Sequence, residues 1–208
     1  RDDSSAIQGT EVDLLLSLEP LGPAPLEPER VLLHPTLTAE THNFPSGVAP
    51  YPGAETGGGG RIRDNQAVGR GGLVVASGAA YCVGNLHIPG YELPWEEDGS
   101  THPPDLASPI DILIEVSNGA SDYGNCFGEP LIYGFTRTFG QRLPDGYRSW
   151  YKPIMYSVGA GQIRDEHTVK GKPAKDMLVV QVGGPAYRIV MGGGAASSME
   201  QGENVEEL

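Results

Sequence analysis

Glu40, His42, Arg63 and Asp64 have side chains that can bind a metal, move a proton and hold an anion. Four glycines, Gly57–Gly60, lie between them in the stretch AETHNFPSGVAPYPGAETGGGGRIRD, residues 39–64. A run without Cβ atoms lets backbone N–H groups converge on one anion and leaves positive φ open. A helix starting near Arg61 would add partial positive charge at the same place. The stretch 43–60 therefore reads as a phosphate-binding loop. The same glycines also suit a flexible linker, and no G-x-x-x-x-G-K-[ST] P-loop is present. Glu40 and Asp64 are hard oxygen donors at the two flanks. If the loop folds back, both reach one Mg²⁺, which takes one or two carboxylates together with substrate phosphates and water. Each carboxylate taken singly also fits a solvated or salt-bridged side chain. His42 suits a general base or an oxyanion partner, or a structural histidine at a strand end. Arg63 suits a bidentate clamp on phosphate or carboxylate, or a surface ion pair.

These residues need elements to position them. VLLHPTLTAETH is β-branched and alternating, which predicts a strand from residue 31 that delivers Glu40 and His42 at its C-terminal end. RIRDNQAVG predicts a helix just after the glycines. Residues 72–84, GLVVASGAAYCVG, read as a strand pair or one bent strand with a bulge at Gly78. Ser108 as N-cap and Pro109 at the first helical position open a helix through SPIDILIEVSNGASDYGNCFG. Its expected apolar stripe is Ile110, Leu113 and Ile114, extended by Ser117 and Ala120. Further strands are predicted at 130–137, 150–158 and 177–183, with another at 186–191. Residues 19–30, EPLGPAPLEPER, are proline-rich and predict an extended or loop connector that separates a short N-terminal piece from the main body. Residues 85–107 are proline-rich and irregular. Strands alternating with a few helices give an α+β, or mixed α/β, class with at least one sizeable sheet.

The formal charge of −13 lacks the basic footprint that nucleic acid or an anionic membrane surface needs. It leaves room for a phosphorylated small ligand held by a local site. No apolar run approaches a membrane span. Cys82 and Cys126 form no C-x-x-C pair and read as reduced, buried or half-buried thiols. His34, His102 and His167 have no metal-ligand spacing, and His87 sits in a Pro-Gly turn that suits a structural hydrogen bond. Asp122 and Tyr123 read as capping or cross-domain bonding residues.

Several long motifs occur in order: SSAIQG, AETHNFPSGVAPYPGAETGGGGRIRD, AAYCVGNLHIPGYELPW, SNGASDYGNCFGEPLIYGF, KPIMYSVGAGQI and VGGPAYRIVMGGGAASS. Together they span about residues 1–202 and closely resemble the phosphoribosylformylglycinamidine synthases in their large, single-chain form. The resemblance implies a ligase of purine biosynthesis with glutamine as amido donor. Such an enzyme converts formylglycinamide ribonucleotide, glutamine and ATP to formylglycinamidine ribonucleotide, ADP, phosphate and glutamate. It implies a fold similar to the N-terminal domain of aminoimidazole ribonucleotide synthetase (PurM-like), with a mainly β sheet or half-barrel flanked by helices. Residues 1–30 then correspond to the end of a linker and the connector, 31–202 to the synthetase domain, and 203–208 to an acidic tail.

Residue by residue, the resemblance makes Glu40 and Asp64 ligands of Mg²⁺. Thr41, His42, Asn43, Phe44 and Arg63 become substrate contacts, with His42 in the proton-acceptor place. Phe44 stands where smaller relatives carry His, so a hydrogen bond from this position is not expected. The ATP loop would be Gly53, Ala54, Glu55, Thr56, Gly57, Gly58, Gly59, Gly60, Arg61, Ile62, Arg63 and Asp64. Tyr133, Gly134 and Phe135 match a further nucleotide-contact segment, where plain strand packing is the competing reading. GGGAASS at 192–198 suits a second anion site or a tight packing turn. The expected partners are formylglycinamide ribonucleotide, ammonia from a separate glutaminase domain, and a second synthetase half. A homodimer through the sheet edge is expected in the absence of that half. A cytoplasmic location is expected. The missing start Met and the acidic end suggest an excised piece, which alone is expected to be inactive. The rival reading is a non-catalytic homologue used as a binding scaffold. Retention of Glu40, His42, Arg63 and Asp64 beside the four glycines favours the ligase.

Overall fold

Alternation along the predicted strand is borne out by β3 (Leu26–Thr41), in which His34, Thr36 and Thr38 are buried and the residues between them exposed. The computed structural model describes residues 4–19, 21–97 and 102–184. β1 (Ser5–Ala6) and β2 (Thr10–Ser17) precede β3, and both pair antiparallel with it. The proline-rich stretch therefore does not set the N-terminal piece apart. Its second half, Leu26–Arg30, is paired strand, and Pro28 lies opposite Leu15 in the β2 pairing.

After β3 the chain forms α1 (Asn43–Val48) and α2 (Pro50–Ala67), then β4 (Leu73–Val83), α3 (Pro109–Cys126), β5 (Leu131–Thr138), β6 (Gly140–Leu143), β7 (Gly146–Ser149) and β8 (Ile154–Arg164). The main sheet runs β3–β8–β4–β5, with β1 and β2 beside β3. The β3/β8 and β8/β4 pairs are antiparallel and β4/β5 is parallel. A parallel pair needs a crossover, and α3 supplies it. β6 and β7 form a separate hairpin. This is the expected α+β architecture, a mainly β core flanked by helices.

The core lies between the sheet and the two long helices. Ala79, Tyr81, Val83 and Met155 from the sheet meet Ala54 of α2 and Ile112, Val116 and Ala120 of α3. Each large apolar side chain buried this fully contributes roughly 1.5–3 kcal/mol. The predicted bent strand is β4, whose pairing with β5 shifts register between Ser77 and Gly78.

Four expectations are corrected. The stretch 43–60 is helical, not a loop, and the glycines lie inside α2. The cause is tertiary. Four helix-interior glycines disfavour a helix by about 1 kcal/mol each relative to alanine, yet their missing side chains let α2 sit close to its neighbours. On α3, Ser108 caps as expected, accepting from the Asp111 N–H at 3.2 Å, but the buried stripe is Ile112, Val116 and Ala120. Ile114 and Ser117 face solvent because the sheet meets α3 on the other flank. The strand expected at 177–183 does not form: Met177–Val182 make no ladder, and Leu178 and Val179 are almost fully exposed. Cys126 is exposed rather than buried, since it ends α3 on the solvent side, while burial pushes the half-buried Cys82 thiol up. The segments 186–191, 192–198 and 203–208 lie outside the described residues.

Candidate functional site

Residues 40 and 42 leave the end of β3 two positions apart, and α2 runs back along that strand. A Cβ placed on Gly57 would fall 3.0 Å from the His42 Cβ, and one on Gly60 would fall 2.8 Å from Glu40 Oε1. Three residues separate these glycines, so they share one helix face. Their bare backbone is the floor on which the His42 and Glu40 side chains rest. A helical side chain leans toward the N-terminus of its helix. Arg63 accordingly folds back over Gly59 and Gly60. Its two terminal nitrogens lie 2.9 Å from a Cβ placed on Gly59 and 3.9 Å from one placed on Gly60. Asp64 follows Gly60 by one helical turn on the Glu40 side. Glu40, His42, Arg63 and Asp64 are thus gathered along one flank of α2.

The glycines do not form a nest of free amides. Interior helical N–H groups donate to carbonyls four residues back. The N-terminus of α2 lies at Pro50, three turns away, and Pro50 and Pro52 bring no N–H. Positive charge at this flank comes from the Arg63 guanidinium instead. Arg61 and Ile62, named with the ATP loop, are both buried. The Arg61 guanidinium pairs with the Glu129 carboxylate, and its Nε donates to Ser157 Oγ at 2.9 Å. Gly53 and Ala54 are buried where α2 meets α1 and the core. Glu55 is half-buried, and Thr56 is exposed with its hydroxyl donating to Pro52 O at 2.9 Å.

His42 is tied down by its backbone, whose N–H donates to Met155 O at 2.8 Å and whose carbonyl accepts from Ser46 Oγ at 2.6 Å. Its Nε2 is buried without a hydrogen-bond partner. Burial, then the positive charge of Arg63, hold the imidazole below its ordinary pKa, disfavouring its charged form. Asn43 is occupied structurally: its Oδ1 accepts from Met155 N–H at 3.1 Å and its Nδ2 approaches Thr41 Oγ1 at 3.4 Å. Thr41 is exposed and Phe44 half-buried at the same end of the sheet.

Tyr133, Gly134 and Phe135 are not brought to this flank. In the parallel β4/β5 register Gly134 sits beside Ala79, which faces the helices, whereas Tyr133 and Phe135 sit beside Gly78 and Ala80. Their side chains therefore lie on the opposite face of the sheet. The remaining histidines are structural. His34 Nδ1 accepts from the Gly9 N–H at 3.0 Å and Nε2 lies 2.9 Å from Asp165 Oδ1, while His102 Nε2 lies about 3 Å from two backbone carbonyls. His87 takes a positive φ of 47°, with its N–H directed at Glu96 Oε1.

Tyr123 on α3 was not among the sequence candidates for this flank. Its hydroxyl lies 3.5 Å from Arg63 Nη1, and its ring covers Gly59. That proximity depends on how α2 and α3 pack, which no local motif encodes. For a metal, the described residues hold no cluster of three or more His, Cys, Asp or Glu. Two carboxylates along one helix flank fit an ion that takes its other ligands from substrate and water, as Mg²⁺ does. No helix among the described residues is long and apolar enough to cross a membrane.

No family model matches the chain. It is 60% identical over 209 aligned residues to the probable phosphoribosylformylglycinamidine synthase, chloroplastic/mitochondrial, of Arabidopsis thaliana, and 56% identical over 209 to the phosphoribosylformylglycinamidine synthase of Homo sapiens. Each alignment covers 100% of this chain but only 15% and 16% of the relative. Among solved structures, Thermotoga maritima PurL complexed with ATP aligns with 69% of this chain and 19% of its own, at 25% identity and a TM-score of 0.44. Identity of this level, over alignments that cover the whole chain, makes the chain a member of the phosphoribosylformylglycinamidine synthase family that spans about 15% of its relatives' length.

Proposed function

We propose that the chain supplies one wall of the ATP and substrate site of a phosphoribosylformylglycinamidine synthase. The observation that carries this reading is the gathering of Glu40, Arg63 and a buried His42 Nε2 without a hydrogen-bond partner on the glycine floor of α2. The names of its relatives give the reaction class.

In this reading the amide oxygen of formylglycinamide ribonucleotide attacks the γ-phosphorus of ATP and ADP leaves. Nitrogen of ammonia then attacks the resulting imidate carbon, and phosphate leaves with the former amide oxygen. His42 accepts a proton released in this sequence, since its Nε2 has no hydrogen-bond partner within the chain. Arg63 holds an anionic group of the ribonucleotide by charge-assisted hydrogen bonds. Glu40 and Asp64 would hold Mg²⁺, which neutralises charge building on the transferred phosphoryl oxygens. A glutaminase domain and a second synthetase half, carried by the longer family members, supply ammonia and the facing wall. The compartment is the cytoplasm. The chain alone makes no product.

Titration of Mg²⁺–ATP and of formylglycinamide ribonucleotide into the ¹⁵N-labelled chain tests the assignment. Weak binding is expected, with resonance shifts confined to Glu40, His42, Gly57–Gly60, Arg63 and Asp64, and lost for Mg²⁺–ATP in Asp64→Asn. Shifts confined to other surfaces, or none at millimolar ligand, would refute it.

A further inference from the structure

We infer that Tyr123 is a positioning residue of this site: its ring and hydroxyl hold the Arg63 guanidinium on the bare backbone of Gly59 and Gly60, beside the Glu40 carboxylate. The consequence for ligand binding rests on the reading of Arg63 as a substrate contact; the positioning itself rests on geometry. Arginine is long and loses much rotamer freedom when fixed, so an exposed arginine holds one place only when it is walled in.

Arg63 has two walls. Below it are Gly59 and Gly60, where a Cβ would come within 2.9 and 3.9 Å of its terminal nitrogens. On the α3 side is Tyr123, whose hydroxyl lies 3.5 Å from Nη1 and also 2.7 Å from the Cβ place of Gly59. Glu40 Oε1 lies 2.8 Å from the Cβ place of Gly60, on the same floor.

Tyr123 is itself braced. Phe127, at the C-cap of α3, stacks on it with ring centroids 4.8 Å apart and an interplanar angle of 20°. Phe127 is 60% exposed. A large aromatic side chain left in solvent at a helix end gives the core little, and its contact with Tyr123 accounts for its place. The layer Phe127–Tyr123–Arg63 therefore aligns the Arg63 guanidinium with the position where an anionic group of a ribonucleotide would be met.

The test is NMR of the Arg63 side chain in the full 208-residue chain, comparing wild type with Tyr123→Phe and Phe127→Leu. In wild type the Arg63 Nε–H is expected to exchange slowly with water and its guanidinium to rotate slowly. Tyr123→Phe removes one oxygen and keeps the ring. It should speed both processes several-fold, while the backbone spectrum, the melting temperature and the Arg30 side chain stay unchanged. Phe127→Leu should move Arg63 in the same direction by less. An Arg63 signal in Tyr123→Phe indistinguishable from wild type overturns the proposal. If Tyr123→Phe alters the fold, Phe127→Leu decides by the same criterion. Failure of the substrate reading would appear as absent shifts in the ligand titration above and leaves these readouts untouched.

Discussion

At the scale of single residues, the four glycines are not interchangeable, because each meets a different neighbour. A Cβ on Gly58 finds nothing closer than 3.9 Å, whereas one on Gly59 would fall 2.6 Å from Tyr123 Cζ. Alanine in a helix interior loses less backbone entropy on folding than glycine. Gly58→Ala is expected to stabilise the chain by about 0.5–1 kcal/mol. Gly59→Ala pushes a ring and a guanidinium aside, and overpacking of this kind costs about 1–3 kcal/mol. Urea denaturation of the two variants checks the pair; destabilisation of equal size in both would mean the glycines act only as a flexible run. His42 gives a second prediction at this scale. Its pKa is lower in the fold than the ordinary 6.5, so the unfolded chain takes up its proton first as pH falls. The stability it contributes is fully present above 6.5 and is lost as pH drops from there to the folded pKa. Unfolding free energy should therefore fall less steeply across that window in His42→Gln than in wild type. Parallel curves would show that His42 is not held neutral.

At the scale of elements, β3, β4, β5, the first half of β8 and α3 were legible because their signals are local, while β1, β2, β6 and β7 were not. Alternation marked β3, a serine followed by proline marked the start of α3, and Gly78 marked the irregularity in β4. Helix α2 was not legible. Its sequence, with two early prolines and five glycines, speaks against a helix by propensity, and what overrides this is close packing. Gly53 meets the Pro45 backbone, Gly57 meets Met155, and Gly119 of α3 lets the Tyr51 carbonyl approach. Glu40, His42 and Arg63 do come together on one flank of α2, while the shape between them was misread as a loop of free amides. MLVVQV misled in the other direction: it has strand composition but no neighbour among the described residues. A further fixture of α2 was invisible in sequence. Arg61, 1% exposed, passes over Gly159 to reach Ser157 and Glu129, so α2 is tied to β8 and to the turn after α3. Removing one partner of a buried ion pair strands the other charge and costs about 3–5 kcal/mol. Arg61→Met should lose that much in chemical denaturation, and the double variant Arg61→Met/Glu129→Leu clearly less. A double variant as unstable as the sum of the singles would mean that the two side chains act independently.

At the scale of the whole molecule, the helices cover one face of the sheet, and among the described residues they leave the other open. Leu37, Tyr133 and Phe135 lie on the open face at 52%, 66% and 38% exposure, and β5 forms an edge that pairs only with β4 among the described residues. Large aromatic and aliphatic side chains clustered on one exposed surface mark a contact surface, and an unpaired edge strand invites another chain. The 208-residue chain is therefore expected to associate with itself as concentration rises, which sedimentation velocity over a wide concentration range would register as a rising mass. Tyr133→Lys adds a charge to the open face at its β5 edge without touching the α2 flank. It should shift the chain toward monomer and leave the Glu40, His42 and Arg63 resonances in place. A monomeric mass for wild type at every concentration would show that the open face is compatible with water. Association unchanged by Tyr133→Lys would move the contact from the face to an edge strand. The outcome bears on the site as well, because the two faces share β4 and β8: a chain that dimerises through the open face presents two α2 flanks outward, each still lacking its facing wall.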